Sequence, residues 1–120
     1  MGRGSSKIGG GGGGGSQAAQ TPKQTNTVIQ SFVDALNSPG RWTQQQRSDL
    51  ASAIYANTDV GDQFVVTMNN GATITFTKTG TNTWTQVDNS RNLVLDANMD
   101  AGLVRTALLT LVDFGKVSFR

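Results

Sequence analysis

The chain contains no cysteine, no histidine and no glutamate, and only two prolines in 120 residues. Without cysteine there are no disulfides and no thiol nucleophile. Without histidine as well, the usual zinc sites, Ser–His triads and imidazole acid–base catalysis are excluded. The missing cysteines fit a reducing compartment. All eight acidic residues are Asp, scattered over turns and helix ends where Asp caps backbone N–H groups, and no carboxylate pair stands out for acid–base work. No apolar run approaches the ~18 residues of a membrane span, and no apolar segment follows the N-terminal Arg3 and Lys7 as a secretory signal requires. The composition points away from an enzyme, a metal site and a bound cofactor.

What charge there is lies unevenly. Arg3, Lys7 and Lys23 give residues 1–24 a charge of +3 with no acid, whereas the remaining seven basic residues face all eight Asp, for −1. The basic character belongs to the tail, and a body built to grip duplex phosphates would show the opposite.

Composition divides the chain into a tail, 1–24, and one small domain, 25–120. The tail carries seven consecutive glycines, Gly9 to Gly15. Glycine gains nothing by burial and loses the most backbone entropy on ordering, so a flexible cationic leader is expected. No strand precedes this tract and no G-K-[ST] follows it, so it is not a phosphate loop. Met1-Gly2-Arg3-Gly4-Ser5-Ser6 also fits the M-G-x-x-x-[ST] myristoylation pattern, meaningful only in a eukaryotic host.

The body reads as α+β. Val28, Ile29, Phe32, Val33 and Leu36 form one apolar stripe of a helix over Thr25–Asn37, capped by Thr25 or Thr27. Thr43 with Gln46 makes a capping box for a second helix, with Leu50, Ala51, Ile54 and Tyr55 as its buried stripe. The short linker predicts an antiparallel helical hairpin. Asp62 to Asp88 then alternates at period two and predicts a three-stranded antiparallel meander. A two-residue Asn70-Gly71 loop would set the apolar face of the first strand over the threonine face of the second. A three-residue loop, Asn69-Asn70-Gly71, aligns Phe64, Val66 and Met68 with Phe76, Ile74 and Ala72, with Gly71 left-handed. At the second turn, an odd loop around Gly80 puts Trp84 in the core together with Gln86, and an even loop puts it outside. Burial of so large a side chain favours the core. Leu93-Val94-Leu95 offers a short further strand. Asn98 or Asp100 caps a third helix with Leu103, Val104, Ala107, Leu108 and Leu111 along one side. Gly115 is expected as its C′ residue, and Lys116–Arg120 as a short closing strand.

Few constellations carry chemistry. Every odd position from Thr73 to Thr85 is threonine. These residues suit a solvated pleat, and Thr73, Thr75 and Thr77 are also a hydroxyl-rich contact surface for a protein partner. Two short twisted strands cannot supply the flat array that ice binding needs. Asp96-Ala97-Asn98-Met99-Asp100 has the opening spacing of a calcium loop, but Ala101 stands where its Gly belongs and Ala107 where its Glu belongs. Trp42 with Arg41 and Arg47 can grip an anion or stack a base, or the indole can simply pack beneath the hairpin turn.

The opening Met1-Gly-Arg-Gly-Ser-Ser-Lys7 followed by the glycine tract resembles the openings of small bacteriophage and prophage proteins. That resemblance implies an accessory protein in a bacterial cytoplasm or a virion, acting as a virion component or as an inhibitor of a host enzyme or defence protein. The expectation is therefore a non-enzymatic protein-binding module, engaging a protein partner or a second copy of itself. The alternative is single-stranded nucleic-acid binding, with Trp84 or Trp42 stacking and the tail following phosphates.

Overall fold

The computed structural model describes residues 26–120, so the glycine tract, the myristoylation pattern and Thr25 lie outside the described residues. Three helices, α1 (Thr27–Leu36), α2 (Gln44–Ala56) and α3 (Ala101–Leu111), lie with five strands. The strands are β1 (Gln63–Met68), β2 (Thr73–Gly80), β3 (Thr83–Asp88), β4 (Leu93–Met99) and β5 (Gly115–Phe119). They form one antiparallel sheet in the order β4-β3-β2-β1-β5. The α+β class holds, but the meander has four strands rather than three, and the final strand returns beside β1.

The first turn follows the phase argument. Phe64 pairs with Phe76 and Val66 with Ile74. Met68 N–H donates to Ala72 O at 2.7 Å across Asn69-Asn70-Gly71. Gly71 sits at φ 92°, the left-handed region that a side chain resists.

The second turn combines both alternatives. Gly80 pairs with Thr83 across the two-residue loop Thr81-Asn82, which by itself would turn Trp84 outward. Thr79 then bulges out of register, so Trp84 pairs with Lys78 and returns to the core face. One extra residue in β2 reverses the phase of β3 and buries Trp84 completely.

The core lies between the helices and one face of the sheet: Ile29, Val33 and Leu36 of α1, Leu50, Ala53 and Ile54 of α2, Val104 and Leu108 of α3, against Phe64, Val66, Phe76, Trp84 and Val117. Val28, Tyr55 and Leu103, expected in the apolar stripes, are about half exposed. The helical hairpin is also looser than expected. Asn26 Nδ2 bonds Asn57 O at 2.8 Å, fixing α1 and α2 head to tail, but α2 packs chiefly on α3 and α1 on β5.

The helix ends differ from expectation in two places. Asn26, not Thr25 or Thr27, caps α1 through Ile29 N–H, while Thr43 and Gln46 make the expected box on α2 and Asp100 caps α3. Gly115 does not terminate α3; it opens β5 against β1. A Cβ there would stand 2.5 Å from Thr67 O, so the close approach of the two strands requires glycine.

Candidate functional site

Four regions hold the candidate residues and surfaces: the threonine face, the Trp84–Lys78 pair, the linker before α2, and the free edge of the sheet. Thr73, Thr75 and Thr77 point away from the helices, bordering a shallow concavity of about 380 Å³ with Val65, Val87 and Arg120. Their hydroxyl oxygens already accept hydrogen bonds within the fold. Asn89 Nδ2 donates to Thr73 Oγ1 at 2.9 Å and Thr75 Oγ1 at 2.7 Å, and Gln63 Nε2 donates to Thr77 Oγ1 at 3.0 Å. Hydroxyls bonded to neighbouring amides tie the strands together, as a solvated sheet face would.

Trp84 is 0% exposed, so it is unavailable for contact with a partner or a base. Its ring stands 5.5 Å from that of Phe64. The indole Nε1 is buried with no hydrogen-bond acceptor. Beside it is a residue that composition does not draw attention to, Lys78, only 4% exposed. The Lys78 ammonium donates to Thr58 O at 2.8 Å, Thr58 Oγ1 at 3.0 Å and Tyr55 O at 3.3 Å, 6.0 Å from the Trp84 ring centre. It is a cation at the C-terminal end of α2, where the helix dipole favours one, and each of its protons has an acceptor. The sequence held a signal for it: Lys78 is in phase with Ile74 and Phe76, not with the threonines.

The linker between α1 and α2 gathers more than was expected. Arg41, Trp42 and Arg47 border a cleft of about 780 Å³ whose far wall comes from the end of α3 and the start of β5, with Leu109, Asp113 and Lys116. Trp42 is half buried and packs on the core cluster, as the packing alternative requires, while still lining the cleft. The guanidinium groups of Arg41 and Arg47 have no bonding partner among the described residues. Lys116 Nζ bonds Asn37 O at 3.1 Å, and Arg105 reaches across to the Arg47 carbonyl at 3.2 Å. Linear spacing showed the first three residues; only the fold adds Lys116 and Asp113.

The two edges of the sheet are treated differently. On β5, Asn37 acts as a surrogate strand: its Nδ2 donates to Val117 O at 2.8 Å and its Oδ1 accepts Val117 N–H at 2.9 Å. On β4, the only side chain among the described residues that bonds the strand's own backbone is Asp96, which accepts Asn98 N–H. Leu93, Val94 and Leu95 are 45%, 55% and 43% exposed on this strand. Pairing with β3 is interrupted twice, between Val94 and Asp96 and between Asp96 and Met99. The calcium-like spacing falls inside β4 and its junction with α3, where Asp100 caps the helix, and no metal-ligating cluster of three or more occurs among the described residues. No helix among them is long and apolar enough to cross a membrane.

No family model, curated protein or solved structure matches the chain.

Proposed function

We propose that this is a protein-binding module without enzymatic activity, that β4 is its contact strand, and that a second copy of the chain is its first partner. The observation that carries the reading is the contrast between the edges: on β5 Asn37 bonds both backbone groups of Val117, while β4 presents three exposed aliphatic side chains in a row. Proteins normally blunt such an edge with charge, proline or a covering element. Antiparallel pairing of two copies about Val94 sets Leu93 opposite Leu95 in both halves, with Asp96 opposite Asn92 and Arg91 opposite Ala97. No like charges meet, and the apolar side chains of each copy cover those of the other. The two bulges shorten the run available for backbone pairing, so side-chain burial supplies most of the affinity and weak, reversible association is expected.

In the phage setting suggested by Met1–Lys7, a self-associating body suits a virion component. An inhibitor of a host protein would present the same strand to its target. Nucleic-acid binding through Trp84 loses its basis because that indole is enclosed.

Sedimentation velocity on the full chain tests the proposal. A concentration-dependent dimer is expected at about 100 μM, with Val94→Asp and Leu95→Asp returning it to a monomer at unchanged circular dichroism. A wild-type chain that stays monomeric up to about 500 μM, or a dimer indifferent to both substitutions, overturns it.

A further inference from the structure

We infer that the cleft between the α1–α2 linker and the end of α3 is a nucleotide site, in which Arg41 and Arg47 hold phosphate and Trp42 stacks on the base. The case begins with two cations that the fold leaves without an acceptor. α2 opens at Gln44 with no acidic residue in its first turn, and its N-terminus is closed by the neutral Thr43–Gln46 capping box. Arg41 and Arg47 flank that same end, where a cation is disfavoured, and neither guanidinium has an acceptor among the described residues. Both line the cleft, so their donors are free for an acceptor placed there. An anion in the cleft can accept bidentate hydrogen bonds from these guanidinium groups.

Charge and shape narrow the ligand class. Arg41, Arg47 and Lys116 against Asp113 give this corner a net charge of +2, although residues 25–120 as a whole carry −1. A volume of about 780 Å³ exceeds what a bare phosphate fills and matches ligands of nucleotide size. Trp42 supplies a half-buried aromatic surface beside the cations, and any nucleobase stacks on such a surface. A mononucleotide and one residue of a single strand share this chemistry. The proposal does not depend on self-association through β4, which lies at the far edge of the sheet from β5.

Two-dimensional amide NMR on the full chain reads the site directly, because the two indole N–H resonances report separate places. Titration with ATP, with inorganic phosphate and with an oligothymidylate at low salt is expected to move the Trp42 indole signal and leave that of Trp84 in place. Phosphate alone is expected to perturb the arginine neighbourhood at higher concentration without the ring-current shift of stacking. Arg41→Ala with Arg47→Ala should weaken binding at least about tenfold, and Trp42→Phe should weaken it about threefold or more. Both arginines are exposed and Trp42→Phe keeps an aromatic ring against the core, so these variants keep the fold, and Arg91→Ala at the distant hairpin is expected to leave affinity unchanged. ATP binding as tightly as the oligomer marks a mononucleotide site; binding only the oligomer, falling steeply with salt, marks a single-strand site. No saturable shift of Trp42 with either ligand up to about 10 mM overturns the inference. So does binding that survives loss of both arginines, which would assign it to the cationic tail.

Discussion

Lys78 and Trp84 face each other across β2 and β3, and together they carry the least ordinary energetics of the core. Trp84 contributes the largest buried ring but leaves its Nε1 without an acceptor, a cost of roughly 1–3 kcal/mol set against its apolar burial. Lys78 is the reverse: a buried charge whose every proton is bonded. Removing it with Lys78→Ala strands the carbonyls of Tyr55 and Thr58 and opens a void, so a loss of about 2–4 kcal/mol is expected in urea unfolding. Lys78→Met restores the volume but not the hydrogen bonds, and should recover part of that loss. If the two variants lose the same stability, the ammonium rather than the packing of its stem is responsible. The period-two pattern around residues 73–85 puts Lys78 on the core face. What it does not contain is Thr58, twenty residues away, whose hydroxyl and carbonyl make that burial tolerable.

At the scale of elements, the β3–β4 hairpin decides how β4 is presented. Its turn is held by Asp88, which accepts from the Ser90 hydroxyl and N–H and from Arg91 Nε at 2.7, 3.0 and 2.8 Å. The Ser90 hydroxyl first, and then Arg91, hold the Asp88 carboxyl down from the ordinary 3.8 to about 2. A carboxylate more acidic in the folded than in the unfolded chain stabilises the fold above pH ~4, and that contribution disappears as pH falls toward ~2. An NMR titration of the Asp88 carboxyl should show this lowered midpoint, and Asp88→Asn should flatten the acid limb of the stability curve. A midpoint near 3.8 in the folded protein would mean that the turn is not held in this way. The same hairpin shows where phase arguments stop. Phase fixed the first turn because every slip exposes Phe64, Val66 and Phe76 at once. At the second turn a bulge at Thr79 offered another way to bury Trp84, and no local pattern distinguishes a bulged strand from a longer loop.

For the whole molecule, cover is uneven. β1 lies inside the sheet between β2 and β5, beneath the helices, whereas β4 has six consecutive exposed residues and packs chiefly on β3, with a smaller contact to α3. Native-state hydrogen exchange should be slowest in β1 and β2 and fastest in β4 at low protein concentration. Protection of β4 that rises with concentration would accompany self-association. Uniform protection across the sheet at high dilution would contradict the exposed edge. Residues 25–120 carry −1 overall, with Arg41, Arg47 and Lys116 gathered at one corner and Leu93, Val94 and Leu95 exposed on the opposite edge.

Sequence alone determined the α+β class, the phase of the first hairpin, the capping box of α2 and the exclusion of cysteine and histidine chemistry. Each of these depends on neighbours within a few residues, where periodicity, cap chemistry and composition act directly. Tertiary structure decided the rest. It set the place of β5 beside β1, the need for Gly115 where Thr67 comes close, the bonding of Asn37 to Val117 on one edge and the meeting of Lys116 with Arg41 and Arg47. These contacts join residues about seventy to eighty positions apart, or strands whose order no local pattern encodes. Burial of the shared core selects them, and that selection exists only once the whole chain has packed.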